Sequence, residues 1–283
     1  MMDESVFEPE RDTSWCPGCG NFPLRKALVS ALADLDLTPD NVAMFSGIGQ
    51  AAKMPHYLKV NGFNGLHGRA LPPAVGFRLA NPEMTVIVQS GDGDTYGEGG
   101  NHLLHNIRRN PDIAHFVHNN QIYGLTKGQA SPTTGCEIKT KVQPRGVNAE
   151  PFNPLEFAVG MNASFVARGF VGEREHLEKL MKKAIQHRGY ALLDILQPCV
   201  SFNRVNTYQW YSERTYILEE EYDPADRDEA FSRAREWGEK IPLGIIFRRE
   251  KEVFRDNYPH LPESLRVNIA PPEDKKSIIE KFK

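Results

Sequence analysis

Two short polar motifs each follow an apolar run of the chain. Gly91-Asp92-Gly93-Asp94 comes directly after residues 84–90 (MTVIVQS), and Asn119-Asn120 comes directly after residues 113–118 (IAHFVH). Both runs have the length and the β-branched content of buried parallel strands, and residues 97–109 between them show helical spacing of apolar side chains. Because parallel strands end at one edge of a sheet, the two motifs are predicted to lie side by side.

This pair of motifs has the chemistry to capture a magnesium diphosphate. Mg²⁺ takes about six hard oxygen ligands and usually shares them with phosphate. The Asp92 carboxylate, the Asn120 side-chain oxygen and the Ile122 carbonyl oxygen are predicted to supply three of them. Gly91 and Gly93 let backbone N–H groups approach anionic oxygens, next to the start of a helix. A pair of plain turns would not require these side chains at the ends of neighbouring strands.

Composition limits the classes of protein to which the chain can belong. With 283 residues it can bury one large domain or two small ones, and a net charge of -3 provides no basic field for nucleic acid. We find no secretory signal and no apolar run near the ~20 residues of a membrane span, so a cytoplasmic protein is expected. In that compartment the four cysteines would stay reduced. They are Cys16, Cys19, Cys136 and Cys199.

Strand and helix patterns alternate along the chain, which predicts a doubly wound, mostly parallel α/β sheet flanked by helices. Besides the segments above, helices are predicted at 24–35, 72–80, 155–161 and 173–187, and strands at 42–45, 164–167 and 190–196. The aperiodic stretch 124–154 reads as a binding loop or lid. Residues 209–221 and 226–240 are helix-prone, 243–247 form a possible late strand, and 261–274 a tail or an arm.

At this point the chain resembles a known family. GDG followed by NN at this distance resembles the thiamine diphosphate (ThDP) signature, and residues 65–82 (GLHGRALPPAVGFRLANP) resemble the segment that precedes it. Residues 124–133 (GLTKGQASPT) and 15–20 (WCPGCG) narrow the match to the β subunit of 2-oxoacid:ferredoxin oxidoreductases. The resemblance covers about residues 15–216.

The resemblance implies a division of the chain and a set of partners. It identifies residues 15–200 as a ThDP diphosphate-binding domain, while the sequence pattern itself predicts an acidic N-terminal tail (1–14) and a peripheral C-terminal extension (201–283) that packs on this domain or on a partner. An α subunit would supply the pyrimidine-binding domain and the activating glutamate. ThDP, Mg²⁺ and an iron–sulfur cluster would be the cofactors, and ferredoxin and coenzyme A the further partners.

Other residues are predicted to surround the cofactor. The Ser46-Gly47-Ile48-Gly49 turn would end the first strand at the same edge of the sheet and face the cofactor. By analogy with ThDP enzymes, His67 and Gly68 lie over the diphosphate or thiazolium, and Gly124 and Leu125 complete the set. Lys53 and Lys127 would bind a substrate carboxylate or the phosphates of coenzyme A, unless they are simply solvated. His67, Lys53 and Lys127 are our catalytic candidates.

Cys16-Pro-Gly-Cys19 has the spacing that lets two sulfurs reach one metal site. In the family such a pair is half of a [4Fe–4S] site, and Cys199 matches a third ligand, but Gln50 stands where the remaining cysteine is expected. Three thiolates can hold a [3Fe–4S] cluster, or a [4Fe–4S] cluster whose fourth ligand is an oxygen or a non-protein group. Cys136 is a further candidate ligand. A zinc site of all four thiols, or no metal, are the alternatives.

The function that the resemblance implies is oxidative decarboxylation of a 2-oxoacid, of the 2-oxoglutarate or pyruvate class, to acyl-CoA and CO₂. Electrons would pass to ferredoxin, and the chain would be active only with its α partner. Gln50 keeps open a second interpretation, a two-chain ThDP-dependent decarboxylase without a redox cluster. A zinc-binding interaction module without enzymatic activity is the third.

Overall fold

The chain folds around one eight-stranded sheet in a computed structural model that describes residues 2–9, 12–136 and 138–258. The strands are β1 (Val42–Ser46), β2 (Asn61–Asn64), β3 (Thr85–Gly91), β4 (Ile113–Asn119), β5 (Phe165–Phe170), β6 (Tyr190–Leu196), β7 (Thr215–Ile217) and β8 (Ile241–Arg248). Their order in the sheet is β2-β1-β3-β4-β6-β5-β8-β7. All neighbouring strands are parallel except β5 and β8.

Helices cover both faces of this sheet. They are α1 (Asn21–Asp34), α2 (Leu71–Ala80), α3 (Gly100–Arg109), α4 (Pro154–Gly160), α5 (Arg174–Gln186), α6 (Tyr208–Ser212) and α7 (Arg227–Arg235). Met44 and Ile87 pack with α1 and α5 on one face, whereas Phe45 and Val88 pack with α2, α3, α4 and α7 on the other. Because the central strands are buried on both faces, they appear in the sequence as continuous apolar runs. The predicted doubly wound fold is confirmed.

The carboxyl ends of β1, β3, β4 and β6 lie along one edge of the sheet. Within the parallel register Ser46 pairs with Gln89, Gly91 with His118, and Asn119 with Leu196. The turns that follow these four strands therefore emerge next to one another. The polar motifs of the sequence occupy this edge, as predicted.

The structure corrects the prediction for the C-terminal half. Residues 209–221 do not form one helix, because α6 ends at Ser212 and Thr215–Ile217 form β7. These β-branched and aromatic residues pair with β8, and the strand pairing outweighs the local helix preference. The helix predicted at 226–240 ends earlier, at Arg235. The late strand is confirmed as β8, which extends the sheet beside β5.

The remaining findings concern strand β2, the N-terminal segment and the absence of a membrane-spanning helix among the described residues. Strand β2 was not predicted, since its four residues (NGFN) are all exposed and only one of them, Phe63, is a large apolar residue. Near the N-terminus Phe7 is completely buried in the core, so this part of the acidic segment packs on the domain. Within the described ranges no helix combines the length and apolar character needed to cross a membrane. The predicted tail at 261–274 lies outside the described residues.

Candidate functional site

Asp92 follows β3 and is almost completely buried, with 2% of its surface exposed. Its Oδ2 atom accepts hydrogen bonds from Ser131 Oγ at 2.5 Å and from Thr133 Oγ1 at 2.7 Å. Burial raises the pKa of Asp92 to about 6, although the two hydroxyl donors oppose the shift. No ion pair within the described ranges includes Asp92. A buried carboxylate without a cation is costly, and a divalent ion would stabilise it.

The second motif turns sharply between its two predicted ligands. Gln121 has a φ of 58°, in the left-handed region that few non-glycine residues adopt, and its side chain donates to Tyr211 Oη at 2.9 Å. Asn120 Oδ1 accepts a hydrogen bond from the Ile122 N–H at 3.1 Å. Strained backbone of this kind is concentrated at binding sites. Here it fixes Asn120 and Ile122 relative to each other.

Asn119 connects the two motifs beneath the surface. Its Nδ2 atom donates to both carboxylate oxygens of Asp194 at 3.2 Å, and its Oδ1 atom accepts from Thr133 Oγ1 at 2.9 Å. Thr133 also donates to Asp92, so one buried chain of hydrogen bonds reaches from β6 to the predicted metal ligand. Sequence reasoning missed Ser131, Thr133 and Asp194 as supporting residues. Ser131 and Thr133 close the GLTKGQASPT motif (residues 124–133), which pointed to the family but assigned neither residue a role.

Asp94 joins two turns at the same edge of the sheet. Its Oδ1 atom accepts hydrogen bonds from the Ile48 N–H at 3.0 Å and the Gly68 N–H at 2.8 Å, and lies 2.7 Å from His67 Nδ1. Burial raises the pKa of Asp94, and the two backbone donors oppose the shift. Its Oδ2 atom is buried without a hydrogen-bond partner among the described residues. The structure thus gives Asp94 a positioning role, while direct contact with a cofactor stays a prediction.

Two glycines of the site lie so close to neighbouring side chains that a larger residue would not fit. A Cβ on Gly47 would lie 2.0 Å from Asp94 Oδ2, and a Cβ on Gly93 would lie 2.1 Å from the ring of Tyr123. Any larger residue would force one of these side chains out of place. Gly93 also begins a π-helix (Gly93–Glu98), a rare form that is frequent at functional sites.

These turns enclose one cavity, which we call the diphosphate cavity. Its lining consists of Ile48, Gly49, Gln50, Ala51, His67, Gly91, Asp92, Gly93, Asp94, Asn120, Ile122, Tyr123, Gly124, Leu125 and Thr126. The three predicted magnesium ligands therefore meet at one place, beside glycines that leave room for an anionic group. The residue set suits Mg²⁺ and a diphosphate. Ser46 stands behind this wall, where its Oγ donates to the Ala52 carbonyl oxygen at 2.9 Å; Gly47 and Gly68 are also outside the lining.

The two lysine candidates lie outside the diphosphate cavity. Lys53 is on a 3₁₀ helix (Ala51–His56) whose end packs beside Tyr57, and it is half-buried. Lys127 is exposed, with a φ of 74° at the tip of the turn that follows Tyr123. Neither is among the described residues that line the cavity. Their predicted contact with substrate stays a prediction.

A second cavity, which we call the thiol cavity, lies beside the first. Cys16, Cys19 and Cys199 line it together with Gln50, as do Trp15, Asn21, Asn120, Gly124, Gln197, Val200, Ser201 and Phe202. Burial raises the pKa of the Cys19 thiol, and the nearby Cys199 and Cys16 add to the shift. The structure therefore brings together the three thiols that the sequence predicted as cluster ligands.

The position of Cys136 bears on the alternative of a zinc site built from all four thiols. Within the described ranges no three Cys, His, Asp or Glu side chains form a ready-made metal site. One Zn²⁺ needs its sulfurs about 2.3 Å from a single point, whereas a cluster spreads them over several irons. Cys136 does not line the thiol cavity, and its Sγ donates to the Ala149 carbonyl oxygen at 3.4 Å. The geometry gives no support to a four-thiol zinc site.

The two cavities share part of their walls. Gln50, Asn120 and Gly124 line both of them. The Trp15 indole N–H donates to the Gln50 carbonyl oxygen at 3.0 Å, which ties the CPGC segment to the turn after β1. The two cavities therefore adjoin each other at these three residues.

Comparisons with known proteins agree with this geometry. Residues 42–195 match the family described as thiamine pyrophosphate enzyme, C-terminal TPP binding domain, thiamine pyrophosphate being another name for ThDP. Residues 199–263 match the family that describes the C-terminal part of the pyruvate ferredoxin oxidoreductase β subunit. The first match spans β1 to β6, the part of the sheet that builds the diphosphate cavity.

Individual relatives point to the same family. A 2-oxoacid:ferredoxin oxidoreductase subunit beta of Saccharolobus solfataricus is 43% identical over 249 residues, covering 83% of this chain and 82% of that protein. A 2-oxoglutarate synthase subunit KorB of Archaeoglobus fulgidus is 37% identical, with 94% of each chain covered.

A solved structure extends the agreement to the whole fold. The 2-oxoglutarate:ferredoxin oxidoreductase from Magnetococcus marinus, with 2-oxoglutarate, coenzyme A and succinyl-CoA bound, superimposes with a TM-score of 0.90 at 34% identity. The match covers 100% of this chain and 96% of that one. This chain therefore belongs to the 2-oxoacid:ferredoxin oxidoreductase family, as a β subunit built on a ThDP-binding domain.

Proposed function

We propose that this chain holds the magnesium diphosphate of ThDP together with an iron–sulfur cluster. With an α partner it would oxidise a 2-oxoacid of the 2-oxoglutarate class to acyl-CoA and CO₂ and pass the electrons to ferredoxin. The observation that carries the proposal is the wall shared by the two cavities, since Gln50, Asn120 and Gly124 line both. A redox enzyme needs this proximity, and a simple decarboxylase does not.

In the diphosphate cavity the protein would contribute oxygen ligands and anchoring contacts. The Asp92 carboxylate, the Asn120 side-chain oxygen and the Ile122 carbonyl oxygen would hold Mg²⁺. When bound, ThDP supplies the electron sink for decarboxylation. His67 contacts Asp94 through Nδ1 and lines the diphosphate cavity, so its second ring nitrogen would be available to a phosphate or a substrate oxygen.

The substrate class rests on relatives. Relatives are named for 2-oxoglutarate, among them the Archaeoglobus protein and a 2-oxoglutarate oxidoreductase subunit KorB of Mycobacterium tuberculosis, 43% identical over 197 residues. The Magnetococcus enzyme was solved with 2-oxoglutarate and coenzyme A. No lysine or arginine is among the described residues that line the diphosphate cavity. A cation for the substrate carboxylates must therefore come from beyond it, from Lys53, Lys127 or the partner.

Exposed apolar side chains surround the two cavities and suit a partner subunit. Leu125 at the diphosphate cavity is 45% exposed, Phe202 at the thiol cavity 37%, and Leu66, which precedes His67, 76%. Apolar side chains grouped around a functional cavity are typical of a surface that another protein covers. This fits an α subunit that closes the site.

Anaerobic co-purification with the α subunit, followed by reduction of a viologen dye, tests the proposal. We expect dye reduction that depends on coenzyme A and has the highest kcat/KM for 2-oxoglutarate among several 2-oxoacids. A complex that decarboxylates the oxoacid without iron and without reducing the dye would establish the non-redox decarboxylase instead. Stoichiometric zinc without Mg²⁺-dependent ThDP binding would establish the interaction module.

A further inference from the structure

Gln50 is a partly buried residue at the boundary between the two cavities. It follows the turn after β1 and lines both the diphosphate cavity and the thiol cavity. Its Oε1 atom is excluded from solvent and has no hydrogen-bond partner among the described residues. A buried carboxamide oxygen without a donor is costly, so such an atom is expected to have a partner that the chain alone does not supply.

A second glutamine in the thiol cavity is oriented differently. Gln197 Nε2 lies 3.5 Å from Cys19 Sγ and donates to it. Its Oε1 atom is also buried without a partner among the described residues, but its amide nitrogen is the group that contacts a thiol. A donor to a ligand sulfur adjusts the reduction potential of a cluster without binding iron. Gln197 is therefore a natural comparison for Gln50.

We propose that Gln50 Oε1 is the fourth protein ligand of a four-iron cluster whose other ligands are Cys16, Cys19 and Cys199. This inference rests on the proposed function, since it assumes that the thiol cavity holds iron. Carbonyl oxygens are harder and weaker donors to iron than thiolates, and a neutral oxygen adds no negative charge. One iron of the cluster would thus differ from the other three and lie at the wall that both cavities share.

The charge of the ligand set has a direct consequence. Replacing one thiolate by a neutral amide makes the cluster site less negative by one charge. A less negative site stabilises the reduced form and raises the reduction potential. The cluster of this chain is therefore a better electron acceptor than the same cluster with four thiolates.

Three variants of this chain, each purified anaerobically with the α subunit, test the assignment by iron analysis, electron paramagnetic resonance and redox titration. Gln50→Leu has no donor atom, so we expect loss of the fourth iron as Fe²⁺ and, once the oxidant of the redox titration has removed one electron, the resonance signal of an oxidised three-iron cluster. Gln50→Cys restores a thiolate, so we expect four irons and a lower reduction potential. Gln197→Leu should keep four irons and show only a shift in potential.

The results separate failure of this inference from failure of the proposed function. A wild-type complex that contains no iron overturns both. Four irons and an unchanged potential in both Gln50 variants overturn the ligand assignment alone. Weaker ThDP binding by Gln50→Leu with an unaltered cluster would show that Oε1 serves the diphosphate cavity, and loss of iron in Gln197→Leu alone would move the ligand to Gln197. Both of these results also reject the assignment. If Gln50→Leu does not fold, the potential of Gln50→Cys decides.

Discussion

The two cavities lie side by side but are built in different ways. The diphosphate cavity sits on the ends of β3 and β4, where Asp92 is held by two hydroxyl donors and Asp94 Oδ1 by two backbone N–H groups. The thiol cavity takes its sulfurs from segments outside the regular elements, since Cys16 and Cys19 precede α1 and Cys199 follows β6. The first site is shaped by the fold itself. The second brings three thiols to one cavity, and the proposed cluster would set their final positions.

If the two cavities are independent, a substitution in one cavity should remove the cofactor of that cavity and leave the cofactor of the other in place. We expect Cys199→Ala to lose nearly all bound iron, because a cluster with two thiolates is not retained. The affinity for ThDP and Mg²⁺ should stay within a few-fold of wild type. Cys136→Ala is the matched control, since that thiol lies outside the thiol cavity. Iron analysis and titration calorimetry of the complex measure both quantities, and iron loss in the control would contradict the ligand assignment.

The reciprocal variant removes the central side chain of the diphosphate cavity. Asp92→Ala should weaken Mg²⁺-dependent ThDP binding by more than about 100-fold, because a direct metal ligand is lost rather than a supporting residue. The iron content should not change. Asp228→Ala, at an exposed position in the first turn of α7, controls for loss of a carboxylate. Normal ThDP affinity in Asp92→Ala, measured by calorimetry, would show that the cavity is misassigned.

A smaller change tests how rigid the diphosphate cavity is. Gly47→Ala would place a Cβ 2.0 Å from Asp94 Oδ2, and we expect a loss of about 1–3 kcal/mol in the free energy of unfolding. The matched control is Gly76→Ala on α2, where a Cβ meets nothing within 4 Å. That variant should be stabilised by about 0.5–1 kcal/mol. Denaturant unfolding compares the two, and equal stabilities would mean that the turn adapts freely.

An effect of similar size concerns a buried histidine of β4. Burial lowers the pKa of His115 to about 3, where its ring contacts Ser90 Oγ and Tyr190 Oη. The unfolded chain binds this proton below its ordinary pKa of about 6.5 and the folded chain does not, so stability falls as pH decreases. Between pH 7 and pH 5 wild type should lose about 2 kcal/mol more than His115→Gln. Hydrogen exchange of β4 amides at both pH values measures this, and parallel losses would contradict it.

The sequence predicted the diphosphate cavity better than the loops around it. Asp92 and Asn120 could be placed together because apolar runs and strand ends fix positions by simple periodicity. Ser131 and Thr133 could not, since the path of an aperiodic loop depends on tertiary contacts that no local pattern encodes. The helix predicted at 209–221 was wrong for a related reason. Pairing of Thr215–Ile217 with β8 is a long-range effect that outweighs helix propensity.

The central claim is that a thiamine site and a redox cluster are neighbours across one wall of this chain. Its most direct test is electron paramagnetic resonance of the anaerobic complex, loaded with ThDP and Mg²⁺, before and after addition of 2-oxoglutarate and coenzyme A. We predict that the substrate changes the oxidation state of the cluster in wild type and leaves it unchanged in Asp92→Ala. A cluster signal that stays the same in wild type while CO₂ is released would contradict the account.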